Sequence, residues 1–201
     1  MTPILDFAVG SRSRMPGEAS GDAFLAREDG PIAVVAVADG LGHGPEAEAA
    51  ARRTLALLAG VEHGDLLAAM RHCHEGLKAT RGAVLSLARI DRETSTLTWV
   101  GVGNVRGELV RRDARSTPTR ESLLLRGGVL GRTLPRLQAG ILAVDPGDTL
   151  VLMTDGIDPD FPMETLAVEP PRAIADRILA ERSTGADDAL VLVARFQPEP
   201  P

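Results

Sequence analysis

The sequence predicts an α+β fold in a single domain spanning residues 1–201, with two antiparallel sheets and helices on their outer faces. Three observations point to it. About ten short runs rich in Val, Leu and Ile read as strands. Helical periodicity is confined to two segments after the third strand and one before the last. Turn dipeptides join several successive strands, which favours antiparallel neighbours over crossovers. A chain of 201 residues can bury a sizeable core, and no internal repeat or linker divides it.

Ile4 to Val9 is the first strand, followed by a polar loop, Gly10 to Gly21, that carries Arg12 and Arg14. Ala23 to Arg27 is the second. Glu28-Asp29-Gly30 then turns the chain into an apolar run, Val34 to Ala38, that stops at Asp39-Gly40-Leu41-Gly42-His43-Gly44. Three glycines in five positions suit neither a helix nor a strand interior, so the chain turns there with a carboxylate at the turn. Because a tight turn joins strands two and three, Asp22 should lie beside Asp39. Pro45, Glu46 and Glu48 open a helix to about Leu58 whose stripe is Ala47, Ala50, Ala51, Thr54, Leu55 and Leu58. A second helix, about Asp65 to Lys78, places Leu66, Met70, Cys73 and Leu77 on one face.

Ala83 to Ile90, Thr96 to Val102 and Val105 to Arg111 then read as a three-stranded meander broken at Gly103-Asn104. Leu123 to Leu125 reads as a short strand. Gly140 to Val144 and Thr149 to Thr154 read as a hairpin around Pro146-Gly147, and Thr154 leads directly into Asp155-Gly156. After an irregular stretch, Pro171 to Arg182 is helical, and Asp187-Asp188 opens the last strand, Ala189 to Phe196. The proline-rich tail 197–201 is expected to fray.

Composition excludes several classes. Hydrophobic residues make up 44% but aromatics only 2%, so the core is aliphatic and few rings are available to stack on bases. A net charge of −6 argues against a nucleic-acid partner. No apolar run approaches the ~18 residues of a membrane helix, and the first residues lack a signal-peptide pattern. The single cysteine, Cys73, cannot form an internal disulfide, which fits the cytoplasm.

Asp22, Asp39, Asp155 and the Asp187-Asp188 pair each adjoin the end of a strand. Gathered at one edge they would repel one another unless cations neutralised them. Oxygen-only ligation favours Mg²⁺ or Mn²⁺ over zinc, since no Cys/His set has ligand spacing. A pair of such ions is a general device for phosphate-ester hydrolysis. Taken singly, each Asp-Gly is an ordinary turn, and the residues alone leave turn and metal site evenly matched.

The ordered set Ser20-Gly21-Asp22, Val37-Ala38-Asp39-Gly40-Leu41-Gly42-His43-Gly44, Gly101-Val102-Gly103-Asn104-Val105-Arg106, Pro146-Gly147-Asp148, Thr154-Asp155-Gly156 and Asp187-Asp188 resembles the bacterial PPM-type (protein phosphatase 2C, SpoIIE-like) metal-dependent serine/threonine phosphatases. Within that class it is most similar to the short RsbX type. The resemblance implies a β-sandwich flanked by helices. It implies that Asp39 bridges two Mn²⁺ or Mg²⁺ ions, that Gly40 offers its carbonyl, that Asp155 and Asp187 complete the sites and that Asp22 ligates directly or through water. Asp39 and Asp155 are thus the candidate catalytic residues. His43, in a Gly-His-Gly that departs from the RsbX pattern, and Arg14 are candidates for substrate contact. Leu190 stands where the RsbX type commonly has Thr.

Phosphoserine or phosphothreonine hydrolysis by a metal-bridging hydroxide follows from the resemblance. So does a substrate class of phosphorylated STAS-domain proteins of a stressosome or similar partner-switching module. A monomer is expected. Two other readings stand beside it: a non-catalytic phosphoprotein-binding module of the same fold, against which the intact acid set argues, and a hydrolase of small phosphate esters, for which the short loops offer no evident deep pocket.

Overall fold

The computed structural model describes residues 3–61, 64–161 and 168–198. It is an α/β/β/α sandwich. One sheet runs in the order β1 (Leu5–Arg12), β11 (Ala189–Phe196), β10 (Thr149–Met153), β6 (Arg106–Val110) and β7 (Arg120–Ser122). The other runs β2 (Asp22–Asp29), β3 (Ile32–Gly40), β4 (Ala83–Asp91), β5 (Thr96–Val102) and β8 (Leu125–Arg126), with β9 (Gly140–Ala143) also paired to β5. Helices α1 (Pro45–Ala59) and α2 (Leu66–Gly76) cover the second sheet, and α3 (Pro171–Arg182) covers the first.

This layering explains the continuous apolar run of β3. Ala33, Val35 and Val37 face the other sheet, whereas Val34, Ala36 and Ala38 face the helices. Strand β11 divides in the same way: Leu190, Leu192 and Ala194 point into the sandwich, and Ala189, Val191 and Val193 point toward α3. Both faces of each central strand are buried, so neither shows the alternation of a half-exposed strand. Each fully buried aliphatic side chain contributes roughly 1.5–3 kcal/mol. In α1, Ala47, Ala50, Ala51, Thr54 and Leu58 are buried and Leu55 is half-buried. Asp65 caps α2 by accepting from the Leu67 and Ala68 amides at 2.9 and 3.0 Å.

Two expected pairings are corrected. The meander ends at β5, because Gly103 (φ 99°) and Asn104 carry the chain across to the other sheet, where β6 pairs with β10 and β7. Buried Ser86 fixes this crossing by donating to the Val105 carbonyl at 2.6 Å. The hairpin around Pro146-Gly147 is likewise a crossing, since β9 pairs with β5 and β10 with β11 and β6. Buried Asp148 holds that turn by accepting from the Asp145 and Arg112 amides and from the Arg111 guanidinium. The strand expected at Leu123 to Leu125 is two short strands, one in each sheet, with Leu123–Leu124 crossing between them. The tail beyond Pro198 and residues 162–167 of the irregular stretch lie outside the described residues.

Gly40 sits where the end of β3 passes under α1, and a Cβ there would collide with the Ala47 carbonyl. Gly40→Ala is therefore expected to lower stability by about 1–3 kcal/mol. Urea unfolding in chelator should show a lower midpoint with an unchanged slope.

Candidate metal centre

The topology delivers the acids to one edge. Strands β2 and β3 are antiparallel with Asp22 opposite Asp39, the register that hairpin connectivity predicts. Strand β10 ends at Met153 opposite Val191 of β11, so Thr154-Asp155 and Asp187-Asp188 flank the same end of the neighbouring sheet. Between the two sheet ends lies an open cleft of ≈ 460 Å³. Asp39, Asp155 and Asp187 line it together with Asn104, the Leu41–Gly42 turn and the glycine-rich segment 127–129.

The electrostatics follow from packing carboxylates together. Burial, then repulsion from Asp22, Asp155, Asp187 and Asp188, pushes Asp39 up to about 8. Burial also pushes Asp22 up to about 7, against the hydrogen bond from Thr154 and with repulsion from Asp188, Asp155 and Asp187. Asp155 is raised as well, by desolvation and by Asp187, while the Asn104 amide works in the opposite direction from 2.8 Å. Without cations these groups hold protons at pH values where exposed carboxylates have long since lost them.

Neighbouring groups separate the acids by role. The Thr154 hydroxyl donates to Asp22 Oδ2 at 2.8 Å and accepts from the Leu190 amide at 2.8 Å, tying β10 to both β2 and β11. The hydroxyl beside Asp22 thus comes from Thr154, and Leu190 contributes only its backbone. Asp188 is buried and accepts from the Arg14 amide at 2.7 Å and the Gly21 amide at 2.6 Å. Its neighbour Asp187 is half-buried and lines the cleft. Asp188→Ala is expected to cost about 2 kcal/mol because it orphans a buried amide, whereas Asp187→Ala, which frees only the Asp188 amide from a local bond at 2.9 Å, should cost less, about 0.5–1 kcal/mol. Manganese affinity should respond in the reverse order, falling about tenfold or more for Asp187→Ala. Urea unfolding and calorimetric titration of the two variants check both halves.

The remaining sequence candidates sit farther out. His43 is exposed in the turn before α1 and is not among the residues lining the cleft. Arg14 has an exposed side chain and reaches the acid cluster through its backbone amide. Arg106 is exposed at the start of β6. Asn104, which reads from the sequence as a turn residue, sits in the break between β5 and β6 and also donates to Asp155. Its sequence neighbours carry no acid that would signal this bond.

The donor set fits a hard divalent cation. It consists of carboxylates with raised proton affinities that a cation would relieve. Among the described residues, no three acidic, histidine or cysteine side chains are close enough together to hold one ion between them. The acids are thus neighbours along the cleft rather than a closed cage. Cys73, buried against the Thr54 carbonyl with its thiol pushed up to about 12 by desolvation, is unreactive and takes no part.

Two sheets packed face to face, helices outside both, and acids at one sheet edge define the class: the fold is that of PP2C-type phosphatase domains. The family model for Stage II sporulation protein E (SpoIIE) matches residues 29–197, and the chain belongs to that family. It is 29% identical over 144 residues to the phosphoserine phosphatase RsbX of Bacillus subtilis (strain 168), covering 70% of this chain and 69% of the relative. A chain solved in work on the bacterial stressosome, a modular system adapted to control secondary messenger signalling, superposes with a TM-score of 0.87 at 31% identity, over 95% of this chain and 99% of that one. RsbX crystallised in complex with magnesium superposes with a TM-score of 0.84 at 21% identity over 96% of each chain, a likeness of fold.

Proposed function

We propose that this chain is a metal-dependent protein phosphatase acting in stress signalling, and that it removes phosphate from phosphoserine or phosphothreonine of STAS-domain proteins of the stressosome type. The observation that carries the reading is the convergence of strand ends from both sheets on one cleft lined by Asp39, Asp155 and Asp187, with Asp22 paired opposite Asp39. Membership of the SpoIIE family and the likeness to a phosphoserine phosphatase support hydrolysis. The stressosome chain supports the signalling context. No helix of the described residues is long and apolar enough to cross a membrane, and the proposed location is the cytoplasm.

In this reading Asp39, the Gly40 carbonyl, Asp155 and Asp187 would hold two ions, Mn²⁺ or Mg²⁺, with Asp22 beside Asp39. Such ions supply a nucleophile at neutral pH and stabilise charge on the phosphoryl oxygens. The chain's own residues have distinct tasks. Asp39 and Asp22 would release their protons on cation binding, and Thr154 holds Asp22 in place through its hydroxyl. Asn104 orients Asp155 by donating to its Oδ2. Asp188 fixes the Gly21 and Arg14 amides, and so the loop that precedes Asp22.

The substrate is tested by phosphate release from a phosphoserine STAS protein, an unrelated phosphoserine protein and para-nitrophenyl phosphate, in parallel. Preference for the STAS protein by ~10-fold or more in kcat/KM is expected. Equal turnover of all three would make the protein a general phosphate-ester hydrolase. Binding without turnover would make it a phosphoprotein-binding module.

A further inference from the structure

Among the described residues, none that lines the cleft is cationic, although the substrate proposed above is a phosphorylated protein and phosphate recognition ordinarily draws on Arg or Lys. A guanidinium beside one of its lining residues, Gly42, is supplied by a residue outside every motif discussed so far. Arg81, in the link between α2 and β4, lies over the Leu41–Gly42 turn, and its Nη1 is 2.9 Å from where a Cβ on Gly42 would be. Gly42 has φ 92° and lines the cleft, so this turn both tolerates no side chain and leaves room for the guanidinium.

Arg81 is held in place from several sides. The Leu41 amide donates to the Gly82 carbonyl at 3.0 Å, which ties the cleft turn to the segment that carries Arg81. Arg132 Nε donates to the Arg81 carbonyl at 2.6 Å. Gly82, at φ 88°, packs so closely on the Leu130 carbonyl that a Cβ would lie 2.6 Å from it. At its tip, Nη2 pairs with Glu46 in the first turn of α1, while no hydrogen bond from Nη1 is found among the described residues. The side chains of Arg81 and Glu46 are 45% and 71% exposed. An ion pair so open to water contributes little, and it gives way readily to a stronger oxyanion.

We infer that Arg81 is a specificity-determining residue: its guanidinium, placed at the cleft rim over Gly42, binds an oxyanion of the incoming phosphoprotein. This rests on the reading of the cleft as the phosphatase site. Two groups of such a substrate carry that chemistry, the phosphoryl group itself and a carboxylate beside the phosphoserine. A planar fork of N–H donors suits either, and a lysine ammonium would match it only as a point charge.

Three probes separate the sources: para-nitrophenyl phosphate, a phosphoserine peptide with Glu next to the phosphoserine, and the same peptide with Gln. Arg81→Ala is expected to raise KM about tenfold with little change in kcat, the size of one charge-assisted hydrogen bond. Arg81→Lys should recover part of the loss. Equal loss on all three probes assigns the contact to the phosphoryl group, and a loss confined to the Glu peptide assigns it to the carboxylate. Unchanged KM on all three, a fall in kcat alone, or a loss that the Gln peptide shares while the ester is spared overturns the inference. Melting temperature confirms that the exposed position tolerates alanine. Fluorescence anisotropy of the labelled peptides in an Asp39→Asn background reads the same contact without turnover. A wild-type protein that hydrolyses nothing, yet binds the Glu peptide more weakly once Arg81 is gone, would refute the phosphatase reading and leave the contact standing.

Discussion

Asp39→Asn is expected to abolish phosphate release while making the metal-free protein more stable at pH 8. Asp39 ends β3 with Asp22 directly opposite and Asp155 and Asp187 across the cleft. Burial and those neighbours raise its proton affinity until it titrates at about 8, so ionisation there is opposed by the fold. An amide of nearly the same shape carries no charge and escapes that repulsion. Relief of ~2 kcal/mol corresponds to about 4–8 °C in melting temperature for a domain of this size. The same amide is a poor ligand for a hard cation, and the loss in turnover should reach about 10²–10³-fold or more, the scale of removing a principal electrostatic element of a site. Differential scanning calorimetry in chelator and phosphate release in Mn²⁺ give the two readings. A variant less stable than wild type in chelator would mean that Asp39 supports the fold rather than straining it. Function bought with stability is a common feature of active sites.

The second large effect is on pH dependence. In the unfolded chain Asp22 and Asp39 titrate near 3.8, whereas in the folded protein they hold their protons to about 7 and about 8. Between those limits the native state binds more protons than the unfolded state, so unfolding free energy falls as pH rises. Their contribution is fully present below pH 3.8 and is lost as pH rises through about 7 and about 8. The slope is roughly 1.4 kcal/mol per pH unit for each proton held. Saturating Mn²⁺ should flatten this dependence, because a cation replaces the protons, and the melting-temperature gain on adding metal should be larger at pH 8 than at pH 6. Metal binding at pH 7 should release protons, seen as a calorimetric enthalpy that varies with the ionisation enthalpy of the buffer. Metal stabilisation that is independent of pH, with no proton release, would place the ions away from Asp22 and Asp39.

Local features carried much of the fold into the sequence. The β3 run and its Asp-Gly stop, the helical stripes of α1 and α2, and the β2–β3 hairpin all rest on contacts or turns within a few residues. The register that sets Asp22 against Asp39 followed from that hairpin alone. Sheet membership was less legible. Gly103-Asn104 and Pro146-Gly147 have the residues of hairpin turns, yet both carry the chain from one sheet to the other. What decides is the pairing of β5 with β8 and β9, and of β10 with β6, over long separations in sequence.

The acid set was legible because each member adjoins a strand end, and its ordered resemblance to a phosphatase family supplied what spacing could not. The partners that tune it were not. The hydroxyl of Thr154 on Asp22, the amide of Asn104 on Asp155 and the two amides that occupy Asp188 depend on side chains from distant strands or loops. Arg81 carries no local signal at all, since only the packed Leu41–Gly42 turn reveals what it stands over.

The most direct test of the metal-centred account is phosphate release from a phosphoserine STAS protein by the purified chain in Mn²⁺, with chelator and Asp39→Asn alongside. The account predicts turnover that disappears in both controls. Turnover that persists in chelator or in Asp39→Asn would contradict it, and failure to bind Mn²⁺ would return Asp39 and Asp155 to the role of turn residues.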